Sequence, residues 1–276
     1  HTPSSASRPG RKSLWWVGWS GFALWTAAGL YVVRMFAITG IYHRYFSHRT
    51  YRTSRWMQFV FALLGASSAQ RGPLWWAAHH RSHHKFSDMQ PDPHSPIRHG
   101  FWRSHMGWFM TNRHFLTDYR RVQDFARFPE LRWLNRFDLI VPIILAVTLY
   151  FVGRVLNYAA PALGVTGWQL VVWGFVVSTI MLFHATASIN SLAHLIGRRR
   201  YDTGDDSRNN FILALITLGE GWHNNHHKFR SCTRQGFYWW EIDLTYYALK
   251  FFAAIGLIWD LRPVPGKAYD HNQQLS

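Results

Sequence analysis

Histidines at regular spacing are the residues of this 276-residue chain with the clearest capacity for chemistry. Their clusters have the patterns H-x4-H, H-x2-H-H and H-x2-H-H: His43/His48, His80/His83/His84 and His223/His226/His227. Positions i, i+3 and i+4 share one face of a helix, so each H-x2-H-H cluster can direct three rings to one point. Imidazole nitrogens bind Fe, Zn, Cu and Ni. Because these ligands are too many for one metal ion, the pattern predicts two metal ions side by side at a membrane surface.

The composition indicates a membrane protein with a single domain, which we expect to cover residues 1–276. Hydrophobic residues make up 48% of the chain, aromatic residues make up 17%, and the formal net charge is +16. Lys and Arg alternate with apolar stretches, so positive charge retained in the cytoplasm explains them better than nucleic-acid binding does. We therefore expect no nucleic-acid partner. The single cysteine, Cys232, excludes an intramolecular disulfide and a multi-thiolate metal site.

Long apolar stretches must hold the histidine clusters at the membrane. A helix of ~20 apolar residues crosses the hydrocarbon core, and the stretches at 14–42, 139–160 and 168–195 satisfy that length. The link at 159–167 has no Lys or Arg, whereas the chain on the histidine side is basic. The link is therefore predicted to be external and the histidines cytoplasmic.

A fourth apolar stretch, residues 57–78, is broken by the polar sequence Gln-Arg-Gly-Pro at 70–73. If this stretch crossed the membrane once, His48 and His80 on either side of it would face opposite compartments. They could not then share one metal site. We therefore predict that it lies along the interface or enters the membrane and returns.

The N-terminal segment carries three basic residues before the first span, although the order of crossings places this segment outside. These residues are Arg8, Arg11 and Lys12. We therefore expect a preceding span in the full protein, which would then have four. The predicted fold is an all-α integral membrane protein with transmembrane and interfacial helices. A cytosolic helical cap, formed by residues 79–137 and 196–276, is expected to hold the two-metal site.

Three motifs occur in a fixed order along the chain. They are H-R-Y-F-S-H at 43–48, H-R-S-H-H-K-F-S-D-x3-D-P-H at 80–94 and E-G-W-H-N-N-H-H at 220–227. A fourth, N-S-L-A-H at 190–194, supports them. In this order and spacing they resemble the membrane-bound fatty acyl desaturases of the stearoyl-CoA Δ9 type, in a bacterial form. The resemblance covers about residues 40–263.

The resemblance implies a diiron centre with nine histidine ligands and an asparagine that reaches one iron through water. The matching residues here are His43, His48, His80, His83, His84, His194, His223, His226 and His227, with Asn190 through water. Position also supports His194, because it shares a helix face with Asn190 at the inner end of a span, where polar residues are functional by default. Zinc can replace iron in recombinant protein. Carboxylates are expected to orient the rings through their second N–H, and the candidates are Asp88, Asp92, Glu220, Glu241 and Asp243.

The remaining histidines are not expected to be metal ligands. His94 and His105 are assigned to packing or to the surface. For His79 and His184 the sequence leaves open a choice between packing and a supporting role beside the metals or the acyl tunnel.

The implied reaction is the O2-dependent insertion of a cis Δ9 double bond into a long-chain fatty acyl thioester. In the family, a Gln, a Trp and a Thr bend the acyl chain beside the metals, and Gln70, Trp76 and Thr186 match them. The span before the first histidines lines the far end of the tunnel. Tyr31 stands there where the family has a small residue, with Ala27 one turn earlier. We expect Tyr31 to stop the tunnel early and favour C16 or shorter chains.

The expected partners are a fatty acyl thioester, membrane lipids and a separate electron donor of the ferredoxin or cytochrome b5 kind. CoA is the expected carrier, although Ala78-His79 replaces the Arg-Asp pair that helps to hold CoA in the animal enzymes. Acyl carrier protein and lipid carriers stay open. The expected location is the bacterial inner membrane. Two alternatives remain: a membrane hydroxylase or monooxygenase with the same metals, and a non-enzymatic metal handler.

Overall fold

The structure, a computed structural model, describes residues 17–270 and 274–275. The start of the first predicted span, at 14–16, and the three basic residues before it lie outside this part of the chain. The helices are α1 Gly21–Ser47, α2 Arg55–Ala66, α3 Pro73–Phe86, α4 Pro96–His99, α5 Gln123–Ala126, α6 Pro129–Arg136, α7 Ile140–Ala159, α8 Gly167–His194, α9 Phe211–Ile216, α10 His223–Lys228 and α11 Leu244–Ala254. Two short strands, β1 Arg52–Thr53 and β2 Ile258–Trp259, pair antiparallel.

Three helices, α1, α7 and α8, are long and apolar enough to cross a membrane. The predicted all-α membrane fold is confirmed, with span bounds close to those expected. The Gln169 amide donates to the Val17 carbonyl at 2.9 Å, which places the start of α8 beside the start of α1. These two helices therefore run parallel, pack against each other and both end among the histidines, while α7 packs against α8 and runs in the opposite direction.

The broken stretch forms the two separate helices α2 and α3. Ser54 caps the first, and Pro73 occupies the first turn of the second. Ala69 and Arg71 in the connection have φ angles of 57° and 69°, which turn the chain back. At 1.5 Å per residue the helices are about 18 and 21 Å long, shorter than the ~30 Å hydrocarbon core. This geometry supports the predicted re-entrant or interfacial segment.

A buried arginine in α1 fixes the turn between α2 and α3. The Arg34 guanidinium donates to the Ser67 carbonyl at 3.3 Å and to the Thr179 hydroxyl of α8 at 2.7 Å. It also donates to the hydroxyl of Ser178. Arg34 is 1% exposed, so these neutral acceptors replace the water that its N–H groups would otherwise bind.

The last part of α1, Ala37–Ser47, has the wider hydrogen-bonding pattern of a π-helix. The His48 N–H, for example, donates to the His43 carbonyl at 3.2 Å. In an α-helix, positions i and i+5 are about 140° apart, whereas i→i+5 hydrogen bonding stacks them. The π-helical end therefore brings His43 and His48 together, with ring centroids 4.9 Å apart.

Candidate metal centre

Nine histidines converge at the cap ends of α1 and α8. They fall into two groups in which the ligand atoms lie within 4.8 Å of one another. The five-ring group is His43, His48, His80, His84 and His226, and the four-ring group is His83, His194, His223 and His227. The structure thus brings together all nine ring positions that the sequence singled out and divides them into two adjacent sites.

The spacing of the rings within each group fits metal binding. Nε2 of His48 lies 2.8 Å from Nε2 of His80, and Nε2 of His194 lies 3.0 Å from Nε2 of His223. Two metal–imidazole bonds of about 2.0–2.1 Å at a right angle place their nitrogens about 2.9 Å apart. Among the described residues, the buried Nε2 atoms of His83 and His227 have no hydrogen-bond partner. These atoms are therefore available as ligands, and the residues fit two metal ions.

Predicted carboxylates contact three of the rings on the side away from the metal sites. Asp92 accepts from Nδ1 of His83 at 3.0 Å, Asp88 from Nδ1 of His194 at 2.8 Å, and Glu220 from Nδ1 of His43. An Nδ1–H bonded to a carboxylate leaves the Nε2 lone pair for a metal and raises its basicity. Three of the five predicted carboxylates therefore contact ligand-type rings directly.

The other two predicted carboxylates lie further out. Asp243 accepts from Arg44 at 2.9 Å, and Arg44 in turn donates to Glu220 at 3.2 Å. Glu241 accepts from Asn225 at 3.0 Å. Neither touches a histidine ring in the described part of the chain. These two candidates therefore do not orient rings directly, because each binds a residue that flanks a ligand-type histidine in sequence.

A fourth ring-bound carboxylate, Asp205, was missed in the sequence. It accepts from Nδ1 of His227 at 2.6 Å. Its other oxygen accepts from the Thr203 hydroxyl at 2.7 Å and from the Ser207 N–H at 3.1 Å. Asp205 lies in a loop 22 residues from its ring, where helix spacing gives no signal.

Burial sets the charge of the rings. It lowers the pKa of His48, His80, His84, His223 and His226 well below the ordinary value, and neighbouring imidazoles lower it further. These rings are consequently neutral at pH 7, which is the state that binds metals.

The carboxylate behind one ring keeps its negative charge. Burial acts to raise the pKa of the Asp92 carboxyl, but the charge and hydrogen bond of His83 hold it below its usual range. Asp92 is therefore ionised and can hold the His83 Nδ1 proton in place.

A cavity of about 600 Å³ adjoins the rings. His43, His80, His83 and His223 line it at one end, and Met35 of α1 lines it within the membrane-spanning part. Asn190 also lines the cavity, four residues before His194. The volume lies within the range of about 300–1,000 Å³ typical of small-molecule sites. The cavity therefore offers room for a ligand beside both ring groups.

Three side chains predicted to shape the acyl tunnel are joined in this cavity. The Gln70 amide donates to the Thr186 hydroxyl at 3.1 Å and accepts from the Trp76 indole at 3.4 Å. The Trp76 ring stacks on His80, with centroids 5.0 Å apart. The three residues therefore form one hydrogen-bonded wall beside the five-ring group.

Tyr31 and Ala27 are placed differently from these three. The cavity lining includes Met35, one turn further along α1, but neither Tyr31 nor Ala27 among the described lining residues. Tyr31 donates to the Ile216 carbonyl at 2.5 Å and packs against a buried cluster that contains Met35. Tyr31 would therefore limit the length of the bound acyl chain by packing behind Met35, which lines the cavity.

Histidines outside the nine also have defined partners, and His94 and His79 lie nearest to the site. The His94 backbone N–H donates to the Asp92 carboxylate at 3.0 Å, and the His94 ring lies against the Trp108 ring. His79 packs against both Trp75 and Trp108 at the cavity wall, and burial lowers its pKa to about 4. His94 therefore helps to position an acid of the centre, which the packing assignment did not anticipate.

Comparison with known proteins agrees with this geometry. The fatty acid desaturase family model matches residues 13–258. An acyl-CoA 5-desaturase of Anemone leveillei is 37% identical over 262 residues, which are 94% of this chain and 76% of that protein. An sn-2 palmitoyl-lipid 9-desaturase of Nostoc is 36% identical, with 86% of this chain and 81% of that protein covered. An sn-1 stearoyl-lipid 9-desaturase of Anabaena variabilis is 35% identical, with 84% and 83% covered. With its spans, its histidine groups and these relatives, the chain is an oxidoreductase that belongs to the fatty acid desaturase family.

Proposed function

We propose that this protein inserts a cis double bond at Δ9 of a long-chain fatty acyl group, using O2 and two iron ions. The observation that carries the proposal is the convergence of nine rings in two groups at the end of an acyl-sized cavity. The balanced reaction joins one –CH2–CH2– unit, O2, two electrons and two protons to give –CH=CH– and two waters. Iron held by the nine rings, with Asn190 binding through water, would supply the one-electron chemistry that this reaction requires.

The protein's own residues position the substrate. The wall formed by Gln70, Trp76 and Thr186 lies beside His80, so it can bend the acyl chain where it passes the five-ring group. Neutral imidazoles supply ligands without an oxidisable thiolate. The only cysteine, Cys232, is 3% exposed and lies in a separate cluster with Tyr201 and Phe229.

The position of the double bond is proposed from two lines of support. The names of the Nostoc and Anabaena relatives give a 9-desaturase activity for those proteins. The Gln, Trp and Thr of the tunnel wall are all present here and contact one another. The Anemone relative is named as a 5-desaturase, so position must be measured directly.

We infer that a separate protein supplies the two electrons. Rings of the five-ring group, including His48 and His84, are partly exposed on the cap. Arg230 and Lys85 beside them are exposed cations. The pKa of His48 is lowered mainly by burial and by neighbouring rings, and the charge of Arg230 lowers it further. A small acidic ferredoxin fits this basic surface. We place the surface in the cytoplasm of a bacterium, with the spans in the inner membrane.

The test is gas chromatography of fatty acids from cells that express the chain, with the double-bond position determined by mass spectrometry. We expect a new Δ9 monounsaturated product that disappears in His226→Ala. His99→Ala is the matched control, since His99 lies outside both ring groups. A hydroxylated product would instead assign the chain to the membrane hydroxylases. Loss of the product in both variants, or in neither, would contradict the proposed site.

A further inference from the structure

The short helix α10 supplies rings to both metal sites. His226 belongs to the five-ring group, whereas His223 and His227 belong to the four-ring group. The rings of His226 and His227 follow each other in the sequence, yet their centroids lie 5.9 Å apart, one in each group. The position of this one helix therefore determines where three rings stand, and a shift of the helix would move ligands of both groups at once.

α10 is too short to hold its own conformation. It has six residues, so it is about 9 Å long at 1.5 Å per residue. Isolated helices of fewer than about 12–15 residues are marginal in water. The preceding residue, Trp222, makes no capping hydrogen bond with its side chain. α3, which also supplies both groups, has 14 residues. The support for α10 must therefore come from another part of the fold.

A buried asparagine in a distant segment caps this helix. The side-chain oxygen of Asn209 accepts from the backbone N–H groups of Asn224 at 3.0 Å and of Asn225 at 3.1 Å. N–H groups in the first turn of a helix have no acceptor within the helix, and an Asn directly before the helix often accepts from them. The NH2 group of Asn209 also donates to Oδ1 of Asn225 at 2.7 Å. Both ends of one amide therefore hold the first turn of α10.

Asn209 is itself held in place by its backbone. Its N–H and carbonyl pair with Arg198 at 2.8 and 2.9 Å. The N–H of the preceding residue, Arg208, donates at 2.7 Å to the carbonyl of Ala193, which directly precedes His194. The cap thus ties α10 to the end of α8, which supplies His194 to the four-ring group.

The two asparagines between the rings of α10 complete the attachment. Asn224 and Asn225 are fully buried. The Asn224 amide accepts from the Tyr201 N–H at 2.7 Å and donates to the Tyr201 carbonyl at 3.0 Å. The Asn225 amide accepts from Arg200 at 2.9 Å and donates to Glu241 at 3.0 Å. Helix spacing places these side chains on the face opposite the three rings, so they anchor the helix from the side away from the metals.

From this arrangement we infer that Asn209 is a positioning residue for both metal sites. It caps α10 from outside and so holds His223, His226 and His227 where two metal ions need them. This role rests on the two-metal centre of the proposed function and goes beyond it. Asp205 orients one ring, whereas Asn209 fixes the helix that carries three.

The test compares Asn209→Ala with the matched control Asn210→Ala. The Asn210 side chain caps α9, which also has six residues but carries no histidine. Each variant loses one helix cap, so the two metal-free proteins should unfold at similar temperatures. In calorimetric titration of metal-free protein with Zn²⁺, we expect Asn209→Ala to weaken both sites by about tenfold or more, the loss typical of an outer partner of a metal ligand. Asn210→Ala should weaken neither site.

Two further measurements separate positioning from a general loss of structure. Asn209→Asp keeps an oxygen for the two N–H groups but loses the donor to Asn225, so its affinities should fall between those of the wild type and Asn209→Ala. At saturating Co²⁺, the visible absorption, which depends on the geometry of the ligands, should change in Asn209→Ala and stay the same in Asn210→Ala.

Three results would overturn the role of Asn209: unchanged affinities in Asn209→Ala, a loss confined to one site, or an equal loss in Asn210→Ala. The proposed function fails separately. If Asn209→Ala weakens both sites but cells that express the wild type form no unsaturated product, the positioning role stands and the desaturase assignment does not.

Discussion

Replacing Asp205 by Asn should weaken metal binding through the tautomer of His227. One carboxylate oxygen of Asp205 accepts from Thr203 and from the Ser207 N–H, and the other accepts from Nδ1 of His227. An Asn side chain has one oxygen, which the two donors of the loop retain. Its NH2 group then faces Nδ1 and requires a lone pair there, so the ring proton moves to Nε2 and blocks the atom that faces the metal.

The size of the effect follows from the bond that is lost. The Nδ1–Asp205 distance of 2.6 Å is that of a short, charge-assisted hydrogen bond, about twice as strong as a neutral one. Loss of such an outer partner typically costs 10–100-fold in metal affinity, or about 1.4–2.8 kcal/mol. His227 supplies one of four rings in its group, so the effect should fall on one metal site and leave the other occupied.

The assay is calorimetric titration of metal-free protein in detergent with Zn²⁺, which should resolve two sites in the wild type. Asp202→Asn is the matched control, because Asp202 lies in the same loop, pairs with Arg199 at 3.5 Å and is 76% exposed. We expect Asp205→Asn to weaken one site and Asp202→Asn to weaken neither. Equal affinities in the two variants would refute the tautomer argument, and equal weakening of both sites in Asp205→Asn would indicate a general loss of structure.

Three further predictions concern stability, topology and chain length. Buried rings such as His226 have pKa values below the unfolded value of about 6.5, so the unfolded chain binds more protons below that pH. Thermal unfolding of metal-free protein should therefore occur at lower temperature as pH falls from 7 to 5, and a constant midpoint would contradict this. Cysteines placed at the exposed positions Arg52 and Met89 should react with an impermeant reagent from one side of the membrane, and a cysteine at Leu163 should react from the other side. Reaction of the first two from opposite sides would exclude a shared metal site. Tyr31→Ala should shift products toward longer acyl chains without loss of total turnover, since it removes the support behind the cavity end, and an unchanged distribution would dismiss Tyr31 as the stop.

Much of the architecture could be predicted because its signals are local. Span lengths follow from runs of apolar residues, and the break between α2 and α3 follows from the Gln-Arg-Gly-Pro sequence at 70–73. The H-x2-H-H spacing already places three rings on one helical face. The requirement that His48 and His80 share one metal site predicts that the segment at 57–78 does not cross the membrane. Their Nε2 atoms lie 2.8 Å apart, as that requirement demands.

What could not be predicted depends on contacts between distant residues. The π-helical end of α1 is a small change of backbone pitch, and no residue between His43 and His48 marks it in the sequence. The pairing of His105 with His184 joins residues 79 positions apart. Glu241 and Asp243 were candidates to orient the rings, but Glu241 binds Asn225 and Asp243 binds Arg44 instead of a histidine.

The division of the rings between the two groups has a consequence for biosynthesis. Four rings of the five-ring group are translated by residue 84, but the fifth, His226, follows His84 by 142 residues. At 5–20 residues per second the ribosome needs roughly 7–28 s to add it. Throughout that interval the nascent chain carries four imidazoles that already suit Zn²⁺, and divalent zinc binds nitrogen ligands more tightly than ferrous iron does. Zn²⁺ that binds these four rings before His226 is translated would therefore occupy the first site ahead of iron.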